Sequence, residues 1–251
     1  MIYFKTVQAS AFKTAFEVLK DILNDVNFVF TAEGVTMTTL DTARVALVNL
    51  NMLSENFEEY TFTGDQESVI AGVNVTNMFK ILKTIQNNDT LSFHIKDSEH
   101  IHIKIENASK KSTTSFSLKL LDINTDVIML PEVHMQAVTT IQSIDFQRMC
   151  RDMHNIGNEV TIKRSKNLFT VSCNGDFASQ NTDIETSNEL EEDCIFEGTY
   201  SLKYINLFTK ATSMCSLVQI YQEKENKFLL IKYKVANLGE ISFYLATKVE
   251  E

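Results

Sequence analysis

Apolar residues recur along this chain with two periods in turn, and that interleaving constrains the fold more than any single motif. Period two dominates. Ala46, Val48, Leu50 and Met52 alternate along one stretch, Ile101, Ile103 and Ile105 along another, and Phe116, Leu118 and Leu120 along a third, which predicts half-buried strands. Residues 217–221, 228–233 and 241–245 are apolar, β-rich runs parted by polar turns such as Glu223-Lys224-Glu225-Asn226. Four stretches have helical spacing instead. They are residues 10–23 with Phe12, Phe16, Leu19 and Leu23 on one face, and 74–86 with Met78, Leu82 and Ile85. The others are 143–156 with Phe146, Cys150 and Met153, and 200–213 with Tyr204, Phe208 and Ala211. Ser10 is positioned to cap the first. The class is therefore α+β, with strands in the majority.

The order of elements suggests an internal duplication, because the helices starting near residues 10 and 74 are answered by helices near 143 and 201. Between the halves, residues 121–136 contain the only proline, Pro131, with Asp122, Asp126 and Glu132 and no basic residue, the composition of an exposed connector. The layout expected is a first domain over 1–120, a connector over 121–136 and a similar second domain over 137–251. A chain of 251 residues, 44% hydrophobic, can bury a core of that extent.

Seven glycines and one proline leave little room for phosphate-cradling glycine loops. No apolar run approaches the roughly 20 residues of a spanning helix, and the N-terminus lacks the basic-then-apolar pattern of a secretory signal, so a soluble intracellular protein without a membrane partner is expected. Cys150, Cys173, Cys194 and Cys215 form no CxxC pair and read as reduced thiols. His100 and His102 share one strand face, as two metal ligands or as a solvent-facing pair, and the solvent-facing reading is preferred because Ile101, Ile103 and Ile105 take the other face. Glu185, Glu189, Glu191, Glu192 and Asp193 lack the alternating ligand-and-glycine pattern of a calcium loop and read as a solvated turn. No metal, no cofactor and no catalytic grouping is signalled, and the chain is not expected to be an enzyme.

The net charge of −10 argues on its face against a nucleic-acid partner, but the distribution reverses the argument. The four helical stretches hold eight basic residues, Lys13, Lys20, Lys80, Lys83, Arg148, Arg151, Lys203 and Lys210, against four acidic ones, Glu17, Asp21, Asp145 and Asp152. Of the chain's 23 basic and 33 acidic residues, that leaves 15 and 29 for everything else. Within each helix the two cations lie three or seven positions apart and return to one face. Amphipathic helices often turn lysines to water, so either solvent or a common polyanion fits this pattern. A polyanion met this way is held by its backbone without sequence reading, since no helix carries the Asn, Gln and Arg cluster of a recognition helix.

Several segments, in order and in register, resemble the proliferating cell nuclear antigen family of eukaryotic and viral DNA sliding clamps. They are LDTARVALV at 40–48, GVNVTNMFKILK at 72–83, CRDM at 150–153, NLFTKAT at 206–212, and YKVANLG at 233–239 through FYLA at 243–246. The resemblance implies two similar domains of the clamp fold, sheets outside and four short helices lining an inner face, closed head to tail as a homotrimeric ring. It implies a polymerase processivity factor that encircles duplex DNA, with the eight helix cations and Lys110 facing the phosphates. The edges meeting between subunits would be residues 112–120 and roughly 175–184.

The family also binds short partner peptides, a helical turn with one aliphatic and two aromatic anchors, from polymerase, clamp loader, nuclease and ligase. That pocket maps here onto Leu40, Arg44, Val45, Leu47, Ile128, Leu130, Pro131, Phe228, Tyr244, Ala246 and Thr247. If Ala46, Val48, Leu50 and Met52 fill the core, Val45 and Leu47 turn outward beside Leu40, unless a loop covers them. Departures from the family pattern are Thr247 and Phe228 for prolines, Arg44 for a common histidine and Met129 for a glycine. Lys166 falls where the family often carries a modifiable lysine, or is an ordinary exposed turn residue. The implied location is the nucleus, or a viral replication compartment. A checkpoint-type clamp subunit and an unrelated acidic interaction module or enzyme are the competing readings.

Overall fold

A computed structural model describes residues 1–64, 66–124, 128, 130, 136–191, 194–223 and 228–248. The chain divides into two compact units. The first comprises Met1–Thr42, Val48–Met129 and Lys234–Ile241, and the second comprises Ala43–Leu47, Leu130–Tyr233 and Ser242–Glu251.

Chain order in the first half is β1 (Ile2–Thr6), α1 (Ala9–Leu19), β2 (Asp25–Phe30), β3 (Gly34–Leu40), β4 (Ala46–Leu53), β5 (Glu59–Phe62), β6 (Val69–Asn74), α2 (Val75–Leu82), β7 (Asp89–Ile95), β8 (His100–Asn107) and β9 (Ser112–Lys119). The second half runs β10 (Ala137–Gln142), α3 (Ser143–His154), β11 (Glu159–Ser165), β12 (Leu168–Asn174), β13 (Ser179–Glu185), β14 (Ile195–Ser201), α4 (Leu202–Phe208), β15 (Leu217–Gln222), β16 (Phe228–Val235) and β17 (Gly239–Ala246). Each half thus opens strand–helix and carries a second helix before three closing strands, the order that the sequence duplication implies.

In the first unit β5-β1-β7-β8-β9 form an antiparallel sheet, and β2 pairs with both β3 and β6. Its core centres on Phe4, whose ring centroid lies 4.8 Å from Phe93, 5.0 Å from Phe57 and 6.0 Å from both Phe12 and Phe30. Alternation explains the position: Ile2, Phe4 and Thr6 point inward on β1 while Tyr3 and Lys5 stay half-exposed. The Tyr60 hydroxyl lies 2.8 Å from the carbonyl oxygens of Thr31 and Gly34, and burial pushes its pKa up to about 12. Gly34 has φ +146°, and a Cβ there would stand 2.1 Å from the Met52 carbonyl oxygen, so the β2–β3 turn needs glycine.

In the second unit the sheet order is β13-β12-β11-β14, while β10, β15 and β16 pair in sequence. Phe208 stacks on Phe243 at 4.6 Å. Arg164 is fully buried because it continues the inward register of Val160 and Ile162 on β11. Its guanidinium donates to the carbonyls of Ser165 (2.9 Å), Lys166 (2.6 Å), Leu168 (3.3 Å) and Asn188, clamping the β11–β12 turn to the segment after β13. The same two segments are joined by the backbone bonds Thr186 N–H to Asn167 and Leu190 N–H to Lys166.

The helices are shorter than the sequence pattern suggests. The first begins at Ala9 with Gln8 in the cap position, so Ser10 is not the cap; the Thr6 hydroxyl accepts from the Gln8 amide and turns the chain one residue earlier. The second ends at Leu82, before the expected Gln86, and Asn74 caps it by accepting from the Asn77 amide at 2.9 Å. The fourth cannot begin at Tyr200, because that residue pairs with Val160 in the sheet and is buried there. It covers Leu202–Phe208 and tightens into a 3-10 turn over Thr209–Ser213.

Two measurements test this account of the core. Phe4→Ala removes the ring that five aromatic neighbours share, and should lower unfolding free energy by about 3–5 kcal/mol in urea denaturation. Arg164→Met should leave the carbonyls of the clamped turn without a donor, and amide exchange at Thr186 and Leu190 should become measurably faster than in β10 or β15.

Candidate nucleic-acid interface and partner pocket

The two helices of the first unit run antiparallel, side by side. Lys13 of α1 donates to the carbonyl of Ile85 just beyond α2 at 3.2 Å, and Lys20, at the end of α1, lies 5.2 Å from the Phe79 ring of α2. Those of the second unit repeat the arrangement. Thr212 donates to the Ser143 carbonyl, Gln147 to the Thr209 carbonyl at 2.6 Å, and Asn206 to the Cys150 carbonyl at 3.3 Å, so α4 and its 3-10 extension descend as α3 ascends. Each pair is tied by side chain to backbone bonds, and in both units these bind carbonyls near helix ends.

The cations foreseen on these helices sit on their polar faces. Lys80, Lys83, Arg148, Arg151, Lys203 and Lys210 are exposed, and Lys13 and Lys20 are half-buried. Several are engaged locally. Lys20 pairs with Asp21 at 2.7 Å, Arg148 with Asp145 at 3.0 Å, and Lys80 donates to Asn77 at 3.3 Å. Lys110, exposed on the β8–β9 turn, donates to the Gln86 side chain, which brings it beside the C-terminal end of α2. These local pairs are on the surface, where each contributes about 0–1 kcal/mol and a stronger anion can displace the acid.

Most of the expected peptide pocket belongs to the second unit. There the Ala246 amide donates to the Val45 carbonyl at 3.1 Å, and Phe228 meets Tyr244 edge-on with ring centroids 5.6 Å apart. Arg44 is exposed in a left-handed conformation, φ +57°, which bends the chain into Val45. Thr247 is half-buried next to Ala246, and the amide of Lys248 donates to Thr199 at 2.9 Å, fixing the chain after β17. Leu130 is 43% exposed. Leu40 and Ile128 belong to the first unit, Leu40 exposed and Ile128 half-buried, while Pro131 and Met129 fall outside the described residues.

Of the two readings of Leu47, exposed or covered, its burial fits the covered one. It is only 8% exposed, because both faces of β4 from Ala46 to Leu50 are covered, and Val45 is half-buried. Leu47 can serve as the floor of an apolar surface and cannot form its rim.

β9 and β13 are end strands of their sheets, each paired on one side only among the described residues, and they overlap the segments 112–120 and 175–184 singled out in the sequence. Arg164 escaped the sequence reading, although its place in the Val160, Ile162, Arg164 alternation marked it as inward-facing. It fixes the turn on which Lys166 stands exposed at φ +32°.

Among the described residues no group of three His, Cys, Asp or Glu has metal-binding geometry, and Glu192 and Asp193 of the acidic run lie outside them. Cys150 and Cys173 are buried, and burial pushes both thiols up, away from thiolate chemistry. No described helix is long and apolar enough to cross a membrane.

Comparison with known proteins matches residues 1–128 to the proliferating cell nuclear antigen N-terminal domain and residues 129–248 to the C-terminal domain of the same protein. A relative in Paramecium bursaria Chlorella virus 1, described as probable DNA polymerase sliding clamp 1, is 36% identical over 256 residues, covering 98% of this chain and 96% of the relative. With two clamp domains end to end, an α+β fold of two strand-rich units and an antiparallel helix pair in each, the chain belongs to the proliferating cell nuclear antigen family of DNA sliding clamps.

Proposed function

We propose that three copies of this chain close head to tail into a ring around duplex DNA and act as a DNA polymerase processivity factor. The observation that carries the reading is the segregation of charge: eight cations on the helices of a chain with net charge −10. Head-to-tail closure requires two different complementary edges, and β9 and β13 are the two candidates.

The role asked of the chain is topological and not catalytic. With the helices lining the hole, Lys13, Lys20, Lys80, Lys83, Lys110, Arg148, Arg151, Lys203 and Lys210 face the DNA. Duplex DNA crossing a hole roughly 30 Å deep presents roughly 17 phosphates at one per ~1.7 Å. Lysine meets these as a point charge, so the attraction is nearly uniform along the duplex and weakens with salt. Escape is then prevented by closure, and the acidic remainder of the surface repels DNA elsewhere.

Partners dock on the second-unit surface around Arg44, Val45, Phe228, Tyr244, Ala246 and Thr247, with Leu47 as its buried floor. A peptide turn with an aliphatic and two aromatic anchors buries its rings there, and a few rings dominate such affinities. Polymerase, clamp loader, nuclease and ligase are the partner classes. The viral relative supports a place at replicating DNA, in the nucleus or a viral replication compartment.

Two experiments test the reading. Sedimentation of the purified chain should give a trimer, and charge reversal at Lys83, Arg151 and Lys203 together should leave that trimer intact while reducing retention on circular DNA at moderate salt. A folded monomer under all conditions would point instead to a clamp subunit that needs different partners. Tyr244→Ala should weaken binding of an anchor-bearing peptide by about tenfold or more, without changing ring size or DNA retention; unaltered peptide affinity would remove Tyr244 from the pocket.

A further inference from the structure

One sheet face of the first unit differs from the rest of this acidic chain. Strand register places Tyr3, His94 and His102 side by side across β1, β7 and β8, and Lys5, Ser92 and Lys104 in the next row. His100 shares this face opposite Lys119 of β9, and Lys96 follows the end of β7. Three of the chain's five histidines are thus gathered with lysines on one face.

The carboxylates nearby are already engaged. Glu59 pairs with Lys5 at 3.1 Å, Glu106 with Lys104 at 2.7 Å, and Asp97 accepts from the backbone amides of Glu99 and His100. A cleft of about 310 Å³ opens among Tyr3, Ser92, His94, Lys96, His102 and Lys104. Two of the polar atoms here have no hydrogen-bond partner among the described residues: the Nε2 of His94, and the hydroxyl of Ser92, a residue only 4% exposed. Such groups normally find a partner, and here the available chemistry is donation.

We propose that this cleft binds a phosphate-type oxyanion, either free or carried on a protein side chain. A dianion offers only acceptors. The Ser92 and Tyr3 hydroxyls, the His94 Nε2 proton and the Lys96 and Lys104 ammonium groups supply donors around it. Lys5 and Lys104 stand opposite Ser92 on both neighbouring strands and pair with Glu59 and Glu106; ligand entry swings both away from these partners, which uncovers the Ser92 hydroxyl and brings the Lys104 ammonium group onto the anion. The site shares no residue with the helix cations or with the peptide pocket.

The sign of its pH dependence follows from geometry. Burial lowers the pKa of His94, and Lys96 and His102 lower it further, so the ring is neutral near pH 7. A bound dianion favours the protonated form of His94 and raises the lowered value again. Affinity therefore rises as pH falls from 8 to 6. Sulfate keeps its double charge across that range, and so isolates the titration of the protein.

Calorimetric titration of the full-length protein with sodium sulfate, sodium phosphate and a phosphoserine peptide, at constant chloride, tests the proposal. Saturable binding of one anion per chain is expected, with sulfate binding tightening by up to about tenfold between pH 8 and pH 6 as His94 is protonated. Ser92→Ala and Lys96→Met should each weaken it about fivefold, while Lys163→Met on β11 should leave it unchanged. A peptide that binds more tightly than phosphate identifies a phosphorylated side chain as the ligand, and equal affinity identifies the free anion. Absence of saturation, wild-type affinity in both cleft variants, or sulfate binding indifferent to pH would overturn it.

Discussion

A flat antiparallel sheet must end somewhere, and its last strand leaves a row of backbone donors and acceptors facing outward. In this chain β9 in the first unit and β13 in the second are two such end strands, as are β5 and β14 at the opposite ends of the same sheets. β9 and β13 are rich in Ser, Thr, Asn and Gln, with few large apolar residues: β9 reads STTSFSLK and β13 SQNTDIE. Side chains of that kind keep an edge soluble while the backbone does the pairing. Head-to-tail association through such edges is the proposed route to the ring.

The helices are placed by the complementary logic. Their apolar faces are consumed by the core: α1 alone buries Ala9, Phe12, Ala15, Phe16, Val18 and Leu19. Fully burying a Phe, Val or Leu side chain contributes about 1.5–3 kcal/mol, so the orientation of the helix is decided by that face and its lysines follow. Cations thereby collect on one polar surface per helix, where several make weak local pairs. The same restriction explains why the charge total misleads, since most acidic residues fall outside the four helices.

Much of this architecture was legible from spacing alone. Alternation in residues 101–105 and 116–120 located β8 and β9, and the apolar run 241–245 located β17. What escaped were features set by long-range register. Tyr200 has helical neighbours three and four positions on, yet its pairing with Val160 holds it in β14. Leu47 looked outward by alternation, and is covered because β4 is buried on both faces near Ala46–Leu50. Arg164 and the Ser92–His94 pair were invisible for a different reason. Their significance lies in partners, or the want of them, and a one-dimensional pattern carries no information about what stands opposite a side chain.

The local ion pairs of the helices bear on how a ring would travel. Arg148 already holds Asp145, and Lys20 already holds Asp21 and the Phe79 ring, so a phosphate that arrives at either must exchange with a contact of similar strength. Each step along the duplex then trades one weak pair for another, and the barriers between successive positions stay shallow. Motion through such a bore resembles a lubricated bearing more than a ratchet: drag would come from solvent and counterions, with little contributed by the protein's own grip.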